Sequence, residues 1–233
     1  MALVPLGERW IPLALEATEG LSRQGFHGPE RTGAALAGEN IARPPARDFA
    51  VRLVPYLDEV ARWNERTDLT AARSAEELVD LMLADAWVLA SRAPAGATRY
   101  VDVGSGAGAP GLVVKLLLPD VRMTLVEPRS RRVAFLRTVI GKLGLPSVDV
   151  VRARSETLPP ASFDVALARA TLAPPEWLRE GARLSTDVWV LLARETPPEE
   201  PGAVVVTDAA YDWPLTGVSR RAVRYTVTRA TGR

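Results

Sequence analysis

Four glycines, at 104, 106, 108 and 111, sit in YVDVGSGAGAPG (100–111), directly after a short apolar run. Glycine adopts positive φ and lets a ligand approach the backbone. A turn that follows a strand exposes amide N–H groups, and the next helix adds the dipole of its N-terminus. GAGAPG (106–111) matches G-x-G-x-x-G, a pattern that ordinary tight turns share. An acidic residue about 20 residues further on is the one placed to hold a ribose. Glu127, at the end of MTLVE, stands where a second strand should stop. The pairing points to an adenosine-containing ligand. A nicotinamide or flavin dinucleotide would lay its pyrophosphate on the turn, whereas S-adenosylmethionine has no phosphate and would lay its methionine part there. Asp102, two residues before the first glycine, is awkward beside a pyrophosphate and suits an ammonium group.

Positioning these residues requires alternating strands and helices, and the chain supplies them after Arg99. Strands are expected at 99–103, 122–127, 148–152, 163–168 and 187–193, and helices at 111–118, 130–143 and 174–184. GAVVVTD (202–208) and RAVRYTVTR (221–229) read as two final strands joined by a loop carrying Trp213 and Pro214. The expected fold class is α/β, a doubly wound, mostly parallel, seven-stranded sheet in which only the last strand is antiparallel. Such sheets bind ligands at the carboxyl ends of their strands, where the strand order reverses. Before the sheet, Phe49, Leu53, Tyr56, Leu57, Val60 and Trp63 recur at helical spacing. Ser74 with Glu77 forms a capping box for a second helix over about 75–92. The expected organisation is a poorly ordered or loosely packed arm over 1–46, with a short helix near 10–19, then a helical extension or lid over 47–96, then a ligand-binding domain over 97–233.

Composition narrows the chemistry. The chain of 233 residues has no cysteine and one histidine, His27, which excludes thiolate metal sites and makes a His-based metal site or triad untenable. No metal is expected. No apolar run reaches the ~18–20 residues that span a bilayer, and the start does not read as a signal peptide. A cytoplasmic protein without a membrane partner is the expectation. Net charge is +1, and of the 29 basic residues only Lys115 and Lys142 are lysines. Arginine forks onto phosphates and guanine edges better than lysine does.

VDVGSGAG, LVEP with Glu127, and FDVALARA (163–170) together resemble a class I S-adenosylmethionine-dependent methyltransferase. More narrowly, the chain resembles the RsmG (GidB) family of guanine-N7 methyltransferases that act on small-subunit ribosomal RNA, from about Leu53 to Arg229. RWNERTDLTAARSAEEL is similar to the family's segment before the core. GSGAGAPGLVVKLLLPD resembles its glycine turn, including Pro110-Gly111. SRRVAFLRTVIGKLGL resembles its basic helix, RARSE (152–156) its Arg-x-Glu element, and LARA its Ser-Arg-Ala.

The resemblance implies S-adenosylmethionine as cofactor and ribosomal RNA or the small ribosomal subunit as partner. It implies that Gly104, Ser105 and Gly106 contact the methionine end, with Asp102 near the ammonium group and Glu127 on the ribose hydroxyls. Ser155 and Glu156 would lie beside the adenine. Arg169 would stand at the pocket mouth as the catalytic residue for the acceptor, and Arg131 and Arg132 would meet phosphates. The departures fall on the acceptor side. Met82 replaces the family's histidine three residues before Asp85, Asp68 stands where asparagine is usual, and Ala193 or Arg194 replaces a lysine. A small-molecule methyltransferase that kept the donor pocket and a non-catalytic S-adenosylmethionine-binding protein are the alternatives. Trp63, Trp87 and Trp213 are candidates for stacking or for the core.

Overall fold

The computed structural model describes residues 3–28 and 46–228. Three helices come first: α1 (Trp10–Arg23), α2 (Ala46–Thr67) and α3 (Ala75–Ser91). The sheet follows as β1 (Arg99–Val103), β2 (Arg122–Val126), β3 (Val148–Val151), β4 (Phe163–Ala168), β5 (Ser185–Leu192), β6 (Ala203–Asp212) and β7 (Ser219–Val227). Between strands run α4 (Gly111–Leu117), α5 (Ser130–Leu143) and α6 (Pro174–Leu184), and a 3-10 turn at Ser155–Thr157 replaces a helix between β3 and β4.

The strand order is β3-β2-β1-β4-β5-β7-β6. The pairs among β1 to β5 are parallel, and β7 is antiparallel to both its neighbours, as expected for this fold. The order reverses between β1 and β4, so the carboxyl ends of these two strands form the switch point where a ligand belongs. Alternation along each strand feeds two cores. Tyr100, Met123, Leu125, Val165 and Leu167 face α1 to α5, while Val101, Val103, Val126, Ala166 and Ala168 face α6.

Residues 3–28 correct the expectation of a loose arm. Trp10, Ala14, Ala17 and Leu21 recur at helical spacing and are fully buried. Asp58 of α2 accepts from the amides of Leu6 and Gly7 and from Trp10 Nε1, at 3.0, 3.1 and 2.8 Å, which supplies the carboxylate that the start of α1 lacks. Two of these four residues are alanine, so the apolar signal of the stripe is weak in the sequence. The rest of the expected arm, 29–45, lies outside the described residues. At α3, the Ser74 side chain accepts from the Glu77 amide at 3.1 Å, as the capping box requires.

Candidate functional site

The site begins where β1 ends. Gly104 takes φ +71°, and a Cβ there would collide with the side chain of Thr171. The Gly104 and Ser105 amides donate to the Val126 carbonyl at 2.8 and 3.1 Å, which ties the turn to the end of β2. Ser105 Oγ donates to the Asp102 carbonyl at 2.8 Å. The Glu127 carboxylate, 2% exposed, accepts from the Gly106 amide at 3.0 Å and from the Arg129 amide at 2.9 Å. Turn and acid are therefore one hydrogen-bonded unit, and each Glu127 oxygen keeps a further lone pair for a ligand hydroxyl.

Asp102 is 1% exposed. Its Oδ2 accepts from the Gly111 amide at 3.2 Å, and a Cβ on Gly111 would lie 2.6 Å from that oxygen, so only glycine lets α4 start against the carboxylate. Oδ1 is buried with no hydrogen-bond partner among the described residues. Burial pushes the carboxyl up to about 7, the Gly111 amide and the Arg169 charge pull it down, and the nearby Glu127 charge adds to the rise. A buried acceptor without a partner is costly, and a cation beside it removes that cost. The donor set thus fits the ammonium and ribose groups of S-adenosylmethionine.

Across the switch point, Arg169 follows β4 and is 19% exposed in its side chain. Its Nη1 donates to the Leu81 carbonyl and lies 3.4 Å from Asp85 Oδ2. Asp85 Oδ1 accepts from Tyr211 O–H at 2.7 Å and Trp213 Nε1 at 3.1 Å. Arg169 is therefore held by a buried acid that is itself fixed by the C-terminal hairpin. Burial and the Asp85 charge push the Tyr211 hydroxyl well above its ordinary value, so it stays a donor. Tyr56 O–H donates to the Ala107 carbonyl at 2.8 Å and lies 3.1 Å from Met82 Sδ, which connects α2 and α3 to the glycine turn. Ala170, at φ +53°, turns the chain so that Thr171 Oγ1 donates to the Val103 carbonyl at 3.0 Å.

The remaining candidates lie around this centre. Ser155 is buried and Glu156 exposed. Arg183 donates to the carbonyls of Ser155 and Leu158, each at 2.8 Å, and forks onto Glu180. Arg131 is exposed, and Arg132 Nη2 donates to the Asp68 carbonyl at 2.8 Å, with Asp68 itself at φ +49°. Ala193 and Arg194 are exposed, and their amides donate to Glu195 Oε2. Trp87 and Trp213 are core residues, whereas Trp63 is half-buried and lines a surface cleft. Sequence spacing marked Tyr56 only as part of an apolar helix face and gave no sign of Thr171 or Arg183, because contacts between distant segments bring them in. Among the described residues, no group of three or more His, Cys, Asp or Glu side chains could hold a metal, and no helix is long and apolar enough to cross a membrane.

The family model described as rRNA small subunit methyltransferase G matches residues 50–184. A protein of Halorhodospira halophila named ribosomal RNA small subunit methyltransferase G is 45% identical over 132 residues, 57% of this chain and 62% of its own length. Its namesake in Methylobacillus flagellatus is 32% identical over 161 residues, 68% of this chain and 78% of its own. That of Neisseria gonorrhoeae is 34% identical over 174 residues, 74% of this chain and 82% of its own. The chain thus spans between 62% and 82% of the length of these relatives.

Proposed function

The chain belongs to the rRNA small subunit methyltransferase G (GidB) family, and from that premise we propose that it transfers a methyl group from S-adenosylmethionine to nitrogen-7 of a guanine in small-subunit ribosomal RNA. The observation that carries the donor half is the unpartnered Oδ1 of buried Asp102 beside the glycine turn. S-adenosylmethionine supplies a methyl group on a positively charged sulfur. Asp102 holds the ammonium group, Gly104, Ser105 and Gly106 lie along the methionine part, and Glu127 accepts from the ribose hydroxyls. Ser155 and Glu156 border the adenine.

Guanine N7 carries a lone pair and no proton, so the reaction needs alignment and not a general base. Holding donor and acceptor in line accounts for much of the rate in such a transfer. Arg169 is the residue for the acceptor. Asp85 and the Leu81 carbonyl engage its Nη1, which fixes the guanidinium, and its other N–H groups are the donors for the oxygen-6 edge of the base. Support for this role comes from its place directly after β4 at the switch point, where its charge acts on Asp102.

The test is methyl transfer from labelled S-adenosylmethionine into small subunits from cells lacking the gene, with the modified atom mapped. Methylation of guanine N7 by the wild type and loss of turnover in Arg169→Ala, with S-adenosylhomocysteine binding retained, is the expected result. No incorporation into ribosomal RNA under any salt condition would return the reading to a small-molecule acceptor.

A further inference from the structure

We infer that two clefts beside the glycine turn form one continuous track for the phosphate backbone of the acceptor RNA, an inference that rests on the ribosomal RNA reading above. The narrower cleft, about 390 Å³, is lined by Arg129, Arg131, Arg132 and Arg152, and no carboxylate among the described residues lines it. The wider, about 750 Å³, shares Thr67 and Arg131 with the first, so the two adjoin. It adds Arg62, Arg66 and Lys142 against Glu59 and Glu65. Glu59 is already engaged by Lys142 Nζ at 2.7 Å, Arg62 Nη1 at 2.6 Å and Trp63 Nε1 at 3.2 Å.

Most of this positive charge is not neutralised by the protein. Among the described residues, no hydrogen bond or ion pair engages the guanidinium groups of Arg66, Arg129 and Arg131. Arg132 and Arg152 donate, among the described residues, only to backbone carbonyls, those of Asp68 and Pro128. A net charge of +1 therefore conceals a groove with seven cations against two anions. Evenly spread charge would not point to a polyanion, but a strip of this sign does.

The start of α5 points the same way. Arg129, its N-cap, makes no side-chain capping bond, and the first turn holds no acidic residue but does hold Arg131 and Arg132. Cations at a helix N-terminus oppose the macrodipole, and an anion complements it. A phosphate at this helix start would meet amides, dipole and guanidinium groups together. Arg132 joins the track to the donor side, since its Nη1 would lie 3.6 Å from a Cβ on Gly106. Trp63 borders the wider cleft, where a base following the backbone finds an aromatic side chain.

The test uses the full chain with two probes from cells lacking the gene, deproteinised small-subunit rRNA and the intact small subunit. In the combined variant Arg66→Ala, Arg129→Ala, Arg152→Ala, the slope of log affinity against log salt should fall by about 2 units, at ~0.7–0.9 per phosphate contact. Affinity for rRNA at low salt should fall at least about tenfold, and affinity for S-adenosylhomocysteine should stay within about twofold. Arg129→Asp, which installs a capping carboxylate, should raise Tm while weakening rRNA binding, a combination that a structural role for Arg129 does not produce. If the triple variant keeps its slope and rRNA affinity while the wild type still methylates rRNA, the track is overturned and the proposed function stands. A wild type that transfers no methyl group to rRNA overturns the proposed function itself. Binding loss confined to the intact subunit, with deproteinised rRNA bound as before, would assign the groove to an acidic protein partner and overturn the RNA track.

Discussion

The first turns of α3 and α5 are built in opposite ways. At α3, Ser74 accepts from the Glu77 amide, and Glu76 and Glu77 bring negative charge to the positive end of the helix. At α5, the cap is Arg129 without a side-chain bond, followed by Arg131 and Arg132. The first helix start is complete within its own chain. The second has no side-chain cap and no acid in its first turn, only the Glu127 carboxylate on its N-cap amide, so an external anion would add stability there. Asp102 shows the same contrast within one side chain, with Oδ2 bound to the Gly111 amide and Oδ1 buried without a partner. Closed groups of this kind set the frame, and the open ones are where the proposed ligands would bind.

Breaking the closed side should cost the most. Asp85→Ala removes the acceptor shared by Tyr211 and Trp213 and the charge beside Arg169. Leaving these groups buried and unpaired should cost about 3 kcal/mol of folding stability, read from urea unfolding, and should also lower turnover. Glu127→Ala opens the donor side, and S-adenosylhomocysteine binding should weaken by roughly 1.5–3 kcal/mol in calorimetry, beside a loss of stability from the Gly106 and Arg129 amides left without their acceptor.

The open oxygen of Asp102 should appear as a pH effect. Burial raises this carboxyl to about 7 in the folded protein, above its ordinary value. The stability it lends is therefore complete below about pH 4 and is lost as the pH rises through the folded value. Tm of the ligand-free protein should fall between those limits more steeply than in Asp102→Asn. Donor affinity should run the other way, because only the ionised carboxylate pairs with an ammonium group. It should tighten toward pH 7 by at most about tenfold per unit (about 1.4 kcal/mol), then level off, and the variant should lack this slope. The smallest effect belongs to the self-contained helix start. Ser74→Ala should cost about 1 kcal/mol in stability, and rRNA binding should not change. A matching loss of rRNA affinity would erase the distinction between the two helix starts.

The sheet was largely legible because its signals are local. Periodicity placed β1, β4, α5 and α6 at their observed limits, and the other parallel strands and α4 within one or two residues. That Asp102, Gly104 and Glu127 lie close together was legible for the same reason, since they stand at or directly after the ends of two adjacent parallel strands. Other features carried no such signal. The buried stripe of α1 includes small residues such as Ala14, Ala17 and Gly20, and its start depends on Asp58 from another helix. Tyr56 meets Ala107, and Arg183 meets Ser155, only after the layers pack. Arg131 and Arg132 were singled out as phosphate contacts, but the rest of the basic groove was hidden in a total charge near zero, because a sum over the chain contains no positions.

The Asp85 cluster also bears on the order in which the protein is made. Tyr211 and Trp213 follow Asp85 by 126 and 128 residues. Until the closing hairpin has been translated, this carboxylate lacks two of the three side-chain partners it has among the described residues. Only the closing hairpin delivers them. A chain released before residue 211 would therefore carry its defect at α3 and beside Arg169, far in sequence from the break.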